Sequence, residues 1–182
     1  KIFINPSLSS LDIELGSHNK SHLSILFYES RKFTLEYDAL QSFENQNKVL
    51  NDLIYMSKKL PRKIKDTIIF RPLRNYGLYS DDRYKREVLN LKRYKRNFEI
   101  SKSFENVLKN SKLIISNFPS TTFSEALSLN IPMLLFCNEK EILFDERSKS
   151  FFIKMKKNKI AFDDKMKLLE HIKKIWLNPN IW

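Results

Sequence analysis

The sequence predicts an α/β fold: a Rossmann-like three-layer sandwich with a mainly parallel sheet of five or six strands. Short apolar runs typical of buried strands alternate along the 182-residue chain with longer segments whose apolar residues recur at helical spacing. Strands separated by helices form a parallel sheet covered on both faces, joined by right-handed crossovers. Ligands bind such sheets beyond the carboxyl ends of the strands, and polar residues follow several of these runs directly.

In the first half of the chain, two compact apolar runs predict strands, and one long amphipathic segment predicts a helix. Proline and glycine mark where these elements end. The predicted elements are a strand over 22–28, a helix over 44–60 ended by Pro61, a strand over 66–70, a loop over 71–79 that contains Pro72 and Gly77, and a helix that begins at Ser80.

In the second half, strands and helices alternate more closely. The last helix carries Met166, Leu169, Ile172 and Trp176 with amphipathic spacing. The predicted elements are a strand over 98–100, a helix over 103–110, a strand over 112–116, a helix over 122–129, a strand over 132–137, a helix over 139–157, a strand over 160–162 and a helix over 164–177, closed by Pro179.

The most informative segment is 112–136, which reads as strand, tight turn, helix and strand. Its hydroxyl-rich turn, Ser120, Thr121 and Thr122, stands where the helix should begin. The first turn of a helix carries unpaired N–H groups and about half a positive charge, so it is suited to binding phosphate. The segment therefore predicts an anion site, with a nucleotide-type ligand as the leading inference.

The same residues also suit a purely structural role. Thr122-x-x-Glu125 is the capping-box pattern, in which the threonine accepts a backbone N–H three residues on and the glutamate reaches back to the cap. A Glu125 used in this way would not be available to hold a sugar or ribose hydroxyl. From the sequence alone, both interpretations of these residues stand.

A second phosphate-binding element is expected in the loop after the second strand. Arg71 and Arg74 lie there, and a guanidinium matches phosphate oxygens with paired hydrogen bonds. The alternative for each arginine is an ordinary surface or structural ion pair. The chain has two glycines in all and lacks both Gly-x-Gly-x-x-Gly and a Walker loop, which argues against dinucleotide dehydrogenases and P-loop enzymes.

The composition is strongly basic. The net charge is +12, and cationic residues concentrate between Arg83 and Arg96 and again between Lys154 and Lys159. Such clusters attract polyphosphates, nucleic acid or anionic lipid headgroups, although an ordinary solvated surface explains them equally well. The single cysteine, Cys137, excludes a disulfide framework.

Other features of the sequence bear on cofactors and location. The three histidines lack metal-ligand spacing, so no metal is expected. No apolar run approaches the roughly 18 residues that span a bilayer, and the start of the chain lacks a signal-peptide pattern. We therefore expect a cytoplasmic protein, with the inner face of the membrane as an additional place of action.

Three motifs follow one another along the chain. They are Arg71-Pro-Leu-Arg-Asn-Tyr-Gly77, Ile-Ser-Asn-x-x-Ser-Thr-Thr-x-x-Glu-Ala-Leu-x-x-Asn-Ile-Pro over 115–132, and the final Asn-Pro-x-Ile-Trp. Together they resemble a bacterial surface-carbohydrate transferase family whose members are similar to glycosyltransferases of the two-Rossmann-domain GT-B type. The resemblance runs from about residue 22 to 182 and corresponds to the C-terminal half of such an enzyme.

The resemblance implies roles for several residues. In GT-B enzymes the C-terminal domain binds the nucleotide-sugar donor, with the diphosphate near a helix start; Ser120, Thr121 and Thr122 match that block by position. Glu125 matches the family's glutamate and, with Asn117 at the same rim, is expected to contact the donor sugar or ribose. Asn75 stands where the family often has an aspartate, so the catalytic residue stays unassigned.

The resemblance also implies the organisation and function of the chain. Residues 1–21 are expected to be a linker from a preceding acceptor-binding domain, and 22–182 a nucleotide-sugar-binding domain. The expected activity is transfer from a nucleotide-sugar to a saccharide or lipid-linked acceptor in cell-surface polysaccharide synthesis, without a separate cofactor. The leaving diphosphate would be stabilised electrostatically.

Two other functions stay open at the level of the sequence. One is a noncatalytic module that binds nucleic acid or another polyanion, and the other is a nucleotide-sugar epimerase on the same architecture. Nucleic acid is the less expected partner, because the chain contains no recognisable nucleic-acid-binding motif.

Overall fold

The computed structural model describes residues 20–27, 43–72, 104–117, 123, 125–126, 130–137 and 146–179. In this part of the chain, five strands form one sheet in which every neighbouring pair is parallel. Helices cover both faces of the sheet. The predicted Rossmann-like three-layer sandwich is confirmed.

The elements alternate between strand and helix as the sequence predicts. The strands are β1 (His22–Phe27), β2 (Ile68–Pro72), β3 (Ser111–Ser116), β4 (Met133–Phe136) and β5 (Ala161–Phe162). The helices are α1 (Phe43–Lys59), α2 (Arg62–Lys65), α3 (Phe104–Asn110), α4 (Glu146–Lys157) and α5 (Lys165–Ile175), and Phe123, Glu125 and Ala126 are helical as well.

The strand order is β2-β1-β3-β4-β5. After β1 the sheet therefore grows first to one side, with β2, and then to the other, with β3, β4 and β5. Because all five strands are parallel, their carboxyl ends lie along one edge of the sheet. The β1/β3 junction is the point at which the strand order reverses, and this is where α/β sheets of this order bind their ligands.

One face of the sheet packs against α1 and α5. Alternate strand residues point to this face, and the amphipathic helices add their apolar sides to the same cluster. Lys165 at the start of α5 joins the two helices, because its Nζ lies 2.6 Å from Asp52 Oδ1 of α1. This contact raises the pKa of Lys165. The cluster includes Leu23, Ile25, Leu53, Phe70, Leu113, Ile115, Leu134, Leu168 and Ile172.

The opposite face packs against α3, α4 and the helical residues between β3 and β4. Its strand residues are those that alternate with the first set, so the two faces divide each strand between them. Phe152 of α4 is fully buried in this cluster, which also contains Leu26, Val107, Leu108, Ile114, Phe123, Ala126, Met133, Leu135 and Ala161.

The main difference from the sequence prediction concerns the second strand. We predicted a strand over 66–70 followed by a loop from Arg71, whereas β2 extends over Ile68–Pro72 and includes Arg71. Pairing with β1 explains the shift, because Leu26 and Phe27 extend the ladder to Arg71 and Pro72. Asp66 and Thr67, predicted as strand, instead form the turn between β2 and the short helix α2 (Arg62–Lys65), which the sequence pattern did not reveal.

Other predicted elements fall partly or wholly outside the described residues. The strand over 98–100 and the helix beginning at Ser80 lie outside them, as does the first part, 139–145, of the predicted helix 139–157. The helices predicted over 44–60, 103–110 and 164–177 are confirmed within one or two residues at each end, which is the usual uncertainty of helix boundaries.

Candidate functional site at the carboxyl edge of the sheet

The candidate site lies where β1 and β3 end side by side. Leu26 of β1 is in register with Ser116 of β3 on one side and with Arg71 of β2 on the other. The backbone N–H of Asn117, the residue after β3, donates a hydrogen bond to the carbonyl of Leu26 at 3.3 Å. Asn117 is thereby fixed at the point of strand-order reversal.

Asn117 and Ser116 are polar but almost completely buried, with 1% and 0% of their surface exposed. A buried amide or hydroxyl is costly unless it is hydrogen-bonded, and both residues take part in further interactions within the chain. The sequence pattern identified Asn117 but missed Ser116. The signal available for Ser116 was a polar residue at the end of an otherwise apolar strand.

Arg71 occupies the same row of the sheet as Ser116, with Leu26 between them. Neighbouring strands lie about 4.8 Å apart, so the Cα atoms of Arg71 and Ser116 are separated by roughly 10 Å. Residues in one row of a parallel sheet point to the same face, which here is the face that carries Leu26 and Leu135. Arg71 is half-buried and also contacts other residues of the chain.

The connection between β3 and β4 includes the helical residues Phe123, Glu125 and Ala126. β3 ends at the carboxyl edge and β4 begins at the amino edge, so this connection runs from one edge of the sheet to the other. Further along it, the carbonyl of Ala126 accepts the Ile131 N–H at 2.9 Å, and Asn130 has a φ of 53°. These two features are typical of a helix C-terminus.

Glu125 belongs to this helical segment and is half-buried, with Phe123 and Ala126 packed into the core on either side. Glu125 also takes part in a further interaction within the chain. That placement is compatible with both the capping box and a role at the site.

The structure thus brings Asn117 and Arg71 to one edge of the sheet. The remaining predicted site residues, Arg74, Ser120, Thr121 and Thr122, lie outside the described residues, as does Asn75.

Neither described histidine lies at this edge. His22 begins β1 and therefore sits at the amino edge, while His171 is buried on α5 beside the ring of Phe162. Burial lowers the pKa of His171, and the ammonium groups of Lys159 and Lys174 lower it further. In the described part of the chain, no three His, Cys, Asp or Glu side chains converge as a metal site would require.

The fold and the reversal of strand order define the class: a Rossmann-like α/β protein with buried polar residues at its topological switch point. The chain belongs to the LIC12162 family transferase group, whose sequence profile matches residues 2–182. It is therefore a member of a transferase family. No curated protein matches the chain. Among the described helices, none has the length and apolarity needed to cross a bilayer.

Proposed function

We propose that this chain binds the nucleotide-sugar donor of a GT-B-type glycosyltransferase that acts in cell-surface polysaccharide synthesis. One observation carries the proposal: a transferase-family chain has its sheet reversal at β1/β3, with Asn117 buried there. Rossmann-like sheets bind nucleotides at such a reversal. The absence of a glycine-rich phosphate loop from the sequence makes hydroxyls, arginines and a helix end the groups that would hold the diphosphate.

In this proposal each group has a defined role. The helix after β3 presents its positive end and the hydroxyls of Ser120, Thr121 and Thr122 to the diphosphate. Arg71 and Arg74 supply the balancing positive charge. As the glycosyl bond breaks, negative charge grows on the leaving nucleoside diphosphate, and preorganised donors aimed at that charge lower the barrier. Asn117 and Glu125 hold sugar or ribose hydroxyls.

The first test is calorimetric titration of the chain with UDP-, CMP-, CDP- and GDP-sugars. We expect one base to bind clearly more tightly than the others, because the switch point of a Rossmann-like sheet holds one nucleotide in a shaped pocket. If the chain binds none of them at millimolar concentration, the donor-site proposal is wrong. Conversion of the bound sugar to its epimer without any acceptor would instead favour the epimerase.

A pair of neighbouring substitutions separates binding from folding. Thr121→Ala should weaken nucleotide binding by roughly 1–2 kcal/mol, the value of a hydrogen bond to a charged group, with little change in the thermal midpoint. Thr122→Ala should lower stability by about 1 kcal/mol whether or not a ligand is present, because it removes the predicted helix cap. Unchanged nucleotide affinity in Thr121→Ala would contradict the assignment of the hydroxyl block.

Arg71 offers a test based on a described residue. Arg71→Lys keeps the charge but removes the paired donors of the guanidinium, and Arg71→Gln removes both. If Arg71 binds the phosphate through two hydrogen bonds, both variants should bind the nucleotide more weakly than the parent. If Arg71 serves only as a point charge, Arg71→Lys should bind the nucleotide like the parent. Thermal midpoints of both variants show whether the half-buried side chain also supports the fold.

A further inference from the structure

A second recess lies away from the β1/β3 edge, along the outer side of β5. It has a volume of about 480 Å³ and is formed by the last turn of α4, the turn into β5, β5 itself and one side of α5. Ala161, Phe162 and the ring of His171 contribute its apolar part. Among the described strands β5 is the edge of the sheet, so this groove is bounded by helix and turn side chains and not by another described strand.

Four lysines line the groove: Lys156 and Lys159 from the α4 side, and Lys167 and Lys174 from α5. The two on α5 are seven residues apart and so lie two turns apart on one side of the helix. The groove also contains two acids, Asp163 and Glu170, so its formal charge is +2 with His171 neutral.

The two acids are largely engaged with other partners. Asp163 accepts from Lys156 at 2.6 Å, and Glu170 accepts from Lys173, which lies outside the groove, at 2.8 Å. In the described part of the chain, the ammonium groups of Lys159, Lys167 and Lys174 form no ion pair. Three positive charges of the groove are therefore available to an incoming anion.

Lys159 holds an unusual backbone position at the end of α4. Ile160 N–H donates to the carbonyl of Met155 and Lys159 N–H to that of Lys156, the two bonds of a Schellman motif. The residue that turns the chain in this motif has a positive φ and is usually glycine or asparagine; here it is Lys159, with a φ of 60°. Lys159 thus keeps a strained conformation where glycine would relax it.

We propose that the groove between α4, β5 and α5 is a second anion-binding site, which takes a compact phosphate-bearing ligand with several negative charges. Lys159, Lys167 and Lys174 contact its oxygens, because ammonium groups bind phosphate as point charges. The apolar floor of Phe162 accommodates a nonpolar part of the ligand. This site does not depend on the donor site, because β5 is separated from the β1/β3 junction by β3 and β4.

Binding should also be linked to a proton on His171. The charged groups that line the groove together with His171 are Lys156 from α4, Lys159 from the turn, Asp163 after β5, and Lys167, Glu170 and Lys174 from α5, and Lys159 and Lys174 act on it directly. A bound anion opposes the effect of the lysines and raises the pKa of His171, so complex formation should take up protons. Affinity per fully ionised anion should then increase as the pH falls toward the pKa of His171.

The probe for this site is inorganic tripolyphosphate, titrated calorimetrically into the 182-residue chain at low ionic strength. The key variant is Lys159→Asn, because asparagine tolerates the positive φ and keeps the fold while it removes the charge. Lys174→Gln removes a charge from the other wall. Lys154→Gln is the matched control, since Lys154 lies on the same helix as Lys156 but does not line the groove.

We expect Lys159→Asn and Lys174→Gln each to weaken tripolyphosphate binding by about fivefold or more, the effect of one charge-assisted contact, and Lys154→Gln to change it less than about twofold. The thermal midpoint of Lys159→Asn should equal or exceed that of the parent. Equal losses in Lys154→Gln and Lys174→Gln, or no binding by the parent at millimolar concentration, would overturn the proposal.

Two further arms identify the ligand source and separate the two proposed sites. Sedimentation with phosphatidylserine vesicles that depends on Lys159 and Lys174 identifies a lipid headgroup, whereas tripolyphosphate binding without vesicle binding identifies a soluble compound. If tripolyphosphate binding depends on Lys159 while no nucleotide binds, the groove stands and the donor proposal fails. If tripolyphosphate binding is lost in Thr121→Ala but not in Lys159→Asn, the anion occupies the donor site and the groove proposal is wrong.

Discussion

A buried pair of serine hydroxyls between β1 and β3 permits a prediction with a defined direction. Ser24 Oγ lies 2.6 Å from Ser111 Oγ, and Ser111 donates to the carbonyl of Val107 at 2.6 Å. A hydroxyl has one proton. Because the Ser111 proton goes to Val107, Ser24 must be the donor to Ser111. Both side chains are at most 1% exposed, so water cannot replace a lost partner.

The two alanine substitutions should therefore have unequal costs. Ser111→Ala leaves the Ser24 donor buried without its acceptor, which costs about 2 kcal/mol, within the range for a buried unsatisfied group. Ser24→Ala removes only the donor, and Ser111 keeps its bond to Val107, so the cost is about 1 kcal/mol. The double variant leaves no stranded hydroxyl. It should cost clearly less than the sum of the single changes.

Urea denaturation of the parent and the three variants measures these differences. With a denaturant slope of about 2 kcal/mol/M, the midpoint should fall by about 1 M in Ser111→Ala and about 0.5 M in Ser24→Ala. Additive costs, or a larger loss in Ser24→Ala than in Ser111→Ala, would refute the assigned direction of the hydrogen bond. Equal slopes are required for the comparison, because a changed slope signals a changed unfolded state.

Two further predictions concern the cap of α5 and the central strand. Asp164 accepts from the backbone N–H groups of Lys167 and Met166, and chiefly the former lowers its pKa. Asp164→Ala should cost about 1 kcal/mol at neutral pH and Asp164→Asn less. The stabilisation that comes from the carboxylate should be present above the unfolded pKa and should be lost as the pH falls through the lower folded pKa. An advantage over Asp164→Asn that does not shrink as the pH is lowered would contradict this. Ile114→Asp buries an unpaired charge in β3 and should abolish folding or cost more than about 4 kcal/mol. The control is Ile153→Asp, at a position 52% exposed, which should shift the thermal midpoint little. A heat-stable Ile114→Asp would be inconsistent with the packing.

The candidate site was only partly predictable from the sequence. Asn117 was identified because it follows an apolar run, and Glu125 because it stands in the Ser-Thr-Thr-x-x-Glu motif; Asn117 does lie at the junction of β1 and β3. Arg71 was assigned to a loop and belongs to β2. The error arises because strand ends are set by pairing with a neighbour, and the neighbour here is β1, more than forty residues earlier in the chain.

The groove beside β5 shows the same limit more strongly. The sequence revealed the basic cluster 154–159, but it did not predict that Lys167 and Lys174 lie close to that cluster in the fold. Their convergence depends on how α5 lies against β5 and the end of α4. Likewise, the hydroxyl proton of Ser24 has a defined acceptor only because β1 and β3 pair across 87 positions of the chain.

The sequence by itself determined the elements that local periodicity specifies. Apolar runs marked β1, β3 and β4, and helical spacing with Pro61 and Asp164 as boundaries marked α1 and α5, because burial on one side or both leaves a period in the sequence. Only the tertiary structure decided the strand order, the place of Arg71 and the basic groove. These depend on contacts between residues far apart in the chain, and such contacts produce no periodic pattern in the sequence.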